Sequence, residues 1–131
     1  MRRQQLWKAL SDAADAVMTA TEEWKEDPTP AKRAVVDDAV ARYVDYLAPV
    51  IGSEAAFRFE ATTRAFNDAM DRFASLIATL QGRVVDAADV QLLQGVAAEQ
   101  VVAGRAYVAS QSALLAALNK AHLLDEKGDD Q

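Results

Sequence analysis

Between Ala87 and Asn119 the chain carries three charged residues, Asp89, Glu99 and Arg105, in 33 positions, whereas the other 98 positions carry 31. Projected on a helix, one side of this stretch holds Val90, Leu93, Ala97, Val101, Gly104, Val108, Leu115 and Leu118. The far side holds Leu92, Val96, Val102, Ala103, Ala106, Ala113, Leu114 and Ala117, and only a strip of Gln91, Gln94, Arg105, Ser112 and Lys120 is polar. A helix apolar round most of its circumference must be buried round most of it. In a four-helix monomer each helix still turns one side to water, so the second face needs a cover. Neighbouring helices of the same chain, a second copy, or a foreign apolar surface could supply it.

The small residues of the far side would let another helix approach closely, most simply in a two-fold dimer. Self-association through this helix is therefore the leading expectation. Its interface residues are Leu92, Val96, Glu99, Val102, Ala103, Ala106, Ala113, Leu114 and Ala117. Glu99 stands alone on that face, and an unpaired buried carboxylate is costly. It is expected to pair across the interface or to lie at its rim.

The rest of the chain divides at DPTP (27–30), PVIGS (49–53) and QGR (81–83). Helix 1 is predicted from about Arg2 to Glu26, with Leu6, Leu10, Ala13, Val17 and Trp24 on one face. Helix 2 starts near Pro30, buries Val36, Val40, Tyr43 and Leu47, and ends at Pro49. Helix 3 runs from an N-cap at Ser53 to Gly82, and helix 4 from a cap at Asp86 to about Leu124. Short links between long helices imply antiparallel neighbours. The expected fold is all-α, an up-down-up-down antiparallel four-helix bundle with a long, apolar C-terminal helix. It forms one domain over 1–124, followed by a disordered acidic tail at 125–131. Helix 4 is too long for the others, so it either breaks near Gly95 or projects beyond the bundle and needs a partner there.

All four phenylalanines fall within FRFEATTRAFNDAMDRF (57–73). Phe59, Thr63, Phe66, Met70, Phe73, Ile77 and Leu80 alternate spacings of four and three, a heptad seam that belongs to a core. Glu60, Arg64, Asp68 and Arg72 form the opposite, solvated face. Phe57 falls beside Arg64 on that charged side. Either the preceding turn folds over it as a staple, or it is an exposed anchor for a partner.

Signs of chemistry are few. There is no Cys, which removes disulfides, thiolate metal sites and Cys nucleophiles. The single His122, placed in the last turn of helix 4, cannot supply the paired Glu-x-x-His ligands of di-iron bundles. A net charge of −6 repels polyphosphate and argues against nucleic acid. No phosphate loop or nucleophile elbow is visible, so neither cofactor nor metal is expected. Lys8, Asp12 and Asp15 interrupt what would be the apolar core of a signal peptide. No run of 18 uncharged apolar residues exists, so no transmembrane segment is expected. A cytoplasmic location fits these features.

EEWKE (22–26) resembles the EExxE signature of MazG-type all-α nucleotide pyrophosphatases, and DAMD (68–71) their later ExxD. That resemblance implies a Mg²⁺-dependent hydrolase. Helical angles argue against it: Glu22 and Glu26 lie opposite the apolar seam of helix 1, and Asp68 and Asp71 point outward from helix 3. Metal ligands must converge. In composition the chain is also similar to phasins, the acidic helical proteins that coat polyester granules, on the strength of DVQLLQGVAAEQVVAGRAYVASQSALLAAL (89–118). The reading that best fits is a non-enzymatic interaction protein (scaffold, adaptor or inhibitor) that binds itself and another protein.

Overall fold

The computed structural model describes the backbone of residues 3–129 and the side chains of residues 4–124. It is an all-α four-helix bundle: α1 (Arg3–Glu26), α2 (Pro30–Ile51), α3 (Ser53–Leu80) and α4 (Ala87–Asp129). Each helix packs antiparallel on the next, α1 on α2, α2 on α3 and α3 on α4.

Local chemistry sets the breaks. Thr29 caps α2 by accepting a hydrogen bond from the Lys32 amide at 3.2 Å, and Pro30 occupies the first turn. Pro49 does not end α2, as the sequence suggested. It lies inside the helix, which continues to Ile51. Near a C-terminus the cost of one lost amide is small, and the stop comes instead from Gly52 at φ 97°. That glycine is also the whole link to α3, so Ser53 is the first helical residue and makes no side-chain cap. Gly82, at φ 75°, turns the chain after α3. Asp86 then caps α4 reciprocally: its carboxylate accepts from the Asp89 amide at 2.8 Å, and Asp89 accepts from the Asp86 amide at 3.2 Å.

The core follows the periodicity expected of α1, α2 and the start of α3, with Ala20, Val44, Ala56 and Leu114 added to it. Leu10, Ala13, Ala20 and Trp24 of α1 meet Val36, Val40, Tyr43, Val44 and Leu47 of α2, with Ala56 and Phe59 of α3 and Leu114 of α4. Tyr43 and Phe59 stack edge to face at 5.9 Å. Burial fades along the α3 seam: Phe59 and Thr63 are buried, Phe66, Met70 and Phe73 half-buried, and Ile77 exposed.

The fading has a geometric cause. α2 has 22 residues and α4 has 43, and α4 does not break at Gly95. At 1.5 Å per residue, α4 is about 64 Å long against about 33 Å for α2. Its surplus is shared between the ends. At one end it runs past Leu124, where the sequence placed its stop, to Asp129. His122 therefore stands well before the last turn, where the sequence had placed it. Its ring meets Trp7 of α1 edge to face at 5.0 Å. At the other end the last turns of α3 and the first turns of α4 project beyond the Asp27–Thr29 link as a two-helix arm. Arg33, in the first turns of α2, reaches Asp68 and Asp71 of α3, so the residues of α3 after these lie beyond the cover of α1 and α2.

Candidate functional site

Two features could carry a function: the outer surface of α4, and the ionic cluster where α2 meets α3.

The inward seam of α4 runs between the two faces expected from the sequence. Leu93, Val96, Gln100, Ala103, Tyr107, Ser110, Leu114, Ala117 and Ala121 follow one another at spacings of three and four, and all are half-buried or buried. Val96, Ala103, Leu114 and Ala117, predicted as interface, therefore belong to the inward half. Leu114, only 7% exposed, is core. Phe66 of α3 stacks on Tyr107 of this seam at 5.0 Å. Gly104 lies under the same ring, where an added Cβ would come within 3.3 Å of Phe66. An alanine there would have to push the ring aside by a few tenths of an ångström, so this close approach of α3 and α4 favours glycine.

Leu92, Val102, Ala106 and Ala113 of the expected interface face outward and are exposed, with Val102 at 67%. Val90, Val101, Val108 and Leu115, which the sequence had assigned to the intramolecular side, are exposed too, on the other flank of the helix across the polar strip of Gln94, Arg105 and Ser112. The arm adds Ile77, Val84 and Val85. Single exposed apolar side chains are ordinary on protein surfaces. A long helix with exposed apolar residues along both flanks marks a contact surface. By length and composition, Ala87–Leu124 is also long and apolar enough to cross a membrane, and only 6% of its most apolar stretch is buried.

Glu99 is not the lone carboxylate that the sequence suggested. Arg72 of α3 donates to it at 3.0 Å, so this pair bridges α3 and α4 within one chain, at the edge of the exposed surface. Phe57 is 57% exposed on the first turns of α3, and the staple reading is overturned. One residue of linker is too short to fold over it.

The charged face of α3 also departs from expectation. Arg64 and Glu60 pair at 3.6 Å, but Asp68 and Arg72 reach other helices. Asp68 and Asp71 do not diverge into solvent. Both converge, with Asp37, on Arg33 of α2, at 2.7, 2.6 and 3.0 Å. The guanidinium also lies 5.5 Å from the centre of the Trp24 ring. Burial favours loss of its proton, but the hydrogen bonds it donates to Asp68, Asp37 and Asp71 outweigh that and hold its pKa above the ordinary arginine value. The DAMD motif thus receives a cation supplied by its own chain. Among the described residues, no three carboxylate, imidazole or thiolate groups are arranged to hold a metal ion. Glu22 and Glu26 are exposed on α1 and take no part in this cluster.

Sequence reasoning missed Arg33 entirely. Its signal was present, since Arg33 and Asp37 are four apart on one helix face, but the contact to α3 spans 38 positions. No family model, characterised protein or solved structure matches the chain.

Proposed function

We propose that this protein is a non-enzymatic, cytoplasmic interaction module that pairs with a second copy of itself through the outer face of α4. The observation that carries the reading is the exposure of Val90, Leu92, Val101, Val102, Val108 and Leu115 along both flanks of a helix whose inner side is already packed on α3. Its cover must be long, straight and apolar, and another helix has that shape. The arm favours a second copy over an unrelated helix. In the body of the bundle α1 and α2 back the α3–α4 pair, chiefly through α2, and in the arm α3 and α4 have only each other. Two arms laid together would restore a four-helix cross-section over Ile77, Val90 and Leu92. Ala98, Ala106, Ala109 and Ala113, all exposed, would permit close approach.

A second reading is favoured by the same helix's fitness to meet hydrocarbon: α4 coats a lipid or polyester surface, as the compositional likeness to phasins implies. Sedimentation velocity at tens of micromolar separates the two. A dimer that persists on dilution supports pairing. A strict monomer that adsorbs to vesicles or to a polyester film would replace pairing by surface coating.

A further inference from the structure

The bundle is not closed on all sides. α1 packs on α2 and approaches α4 at one end, at the Trp7–His122 contact. Beyond that contact a cleft of about 450 Å³ opens between α1, α3 and α4. Phe59, Phe66, Met70 and Leu114 form its apolar floor.

Two polar side chains break that floor. Asn67 is 5% exposed and Tyr43 8%, and both line the cleft. Neither the Asn67 amide nor the Tyr43 hydroxyl hydrogen-bonds to another described residue. Trp24 Nε1 is the sole described side-chain polar atom that is both sealed and without a partner. The polar atoms of Asn67 and Tyr43 therefore still reach the free space of the cleft. Between them Thr63 donates to the Phe59 carbonyl at 2.7 Å, which leaves its oxygen free to accept. Charge is confined to the mouth, where Glu22 and Lys25 of α1 are exposed. The hydrogen bonds of these groups must therefore be completed by what enters the cleft, water or a ligand.

We infer that this cleft binds a neutral small molecule with an apolar body and one carbonyl or hydroxyl group. The Asn67 amide and the Tyr43 hydroxyl hold the polar group, and the body lies against Phe66 and Met70. Its volume falls in the range of small-molecule sites, and like them it is lined mostly by apolar side chains with a few polar groups. An ionised group is excluded from the depth of the cleft, because every polar side chain there is neutral and an unpaired charge would lose its hydration. This inference is independent of what covers the outer face of α4.

Titration with the neutral ketone dye prodan tests it. The expected result is one saturable site per chain, with blue-shifted emission and a shift of the Asn67 side-chain amide resonances. Asn67→Leu, close to isosteric, should keep full helicity and bind the dye about tenfold more weakly, the loss of one hydrogen bond. If that variant does not fold, Tyr43→Phe removes a single hydroxyl and makes the same comparison. Unsaturable binding, unchanged affinity in the variant, or shifts confined to the Val101, Val102 and Val108 methyls would each overturn the inference.

Discussion

Arg33 of α2 and Asp71 of α3 meet at 2.6 Å, and the same guanidinium holds Asp68 at 2.7 Å, one turn away on α3. Two helices are thereby fixed in register at the base of the arm. Arg33→Met keeps the apolar stem but leaves three aspartates facing one another without a cation. We expect a loss of about 2 kcal/mol in urea unfolding at neutral pH. The raised pKa of Arg33 makes the guanidinium's contribution complete below the ordinary arginine value. It is lost only as pH rises through the folded-state value, so no pH dependence near neutrality arises from this group.

Val102 and Leu114 test which part of α4 is surface. Val102→Glu places a charge on the exposed surface and should convert dimers to folded monomers, read by sedimentation with unchanged circular dichroism. Leu114→Glu buries the charge in the core and should cost more than about 3 kcal/mol, seen as loss of the cooperative melt.

The tyrosines set an alkaline limit. Burial pushes the Tyr43 hydroxyl above its ordinary pKa. It does the same for Tyr107, although the hydrogen bond from Gln111 works in the opposite direction. For an acid raised in the folded state, the unfolded chain ionises first. Stability should therefore be full below about pH 10 and fall as pH rises from there through the folded-state values. Denaturant midpoints between about pH 9 and 11 should decline less steeply in Tyr43→Phe than in the parent.

Asp86→Ala removes one half of the reciprocal cap on α4. A loss of about 1 kcal/mol is expected in thermal or urea unfolding.

Phe57→Ser should change stability by less than about 0.5 kcal/mol, because the ring is more than half exposed. Any weakening of self-association in that variant would then report a direct contact.

The regular part of the fold was legible because its signals are local. Val36, Val40, Tyr43 and Leu47 recur at helical spacing, and Asp86 and Asp89 cap within three residues of each other. α4 was legible as a helix but not as a set of faces. Its apolar residues are spread so evenly that hydrophobicity does not mark the packing seam, and the seam that forms includes Gln100 and Ser110. A seam is chosen there by shape, through Gly104 under Phe66, and glycine has no hydrophobic signature. Asp68 and Asp71 were misplaced for a different reason. The angle of a residue on its own helix says whether it leaves the local core, not whether a long side chain from the next helix reaches across to meet it.

The limited contact of α1 with α3 and α4 also bears on how the chain folds. The main interfaces join helices that are consecutive in sequence, through links of one to six residues. Each can therefore zip from its own turn without first closing a long loop, and such low contact order belongs to rapid folding. Fraying reverses the order. The Gly82 turn holds the end of the arm farthest from the core, so amide exchange should be fastest there and slow toward Arg33, a gradient along one continuous helix.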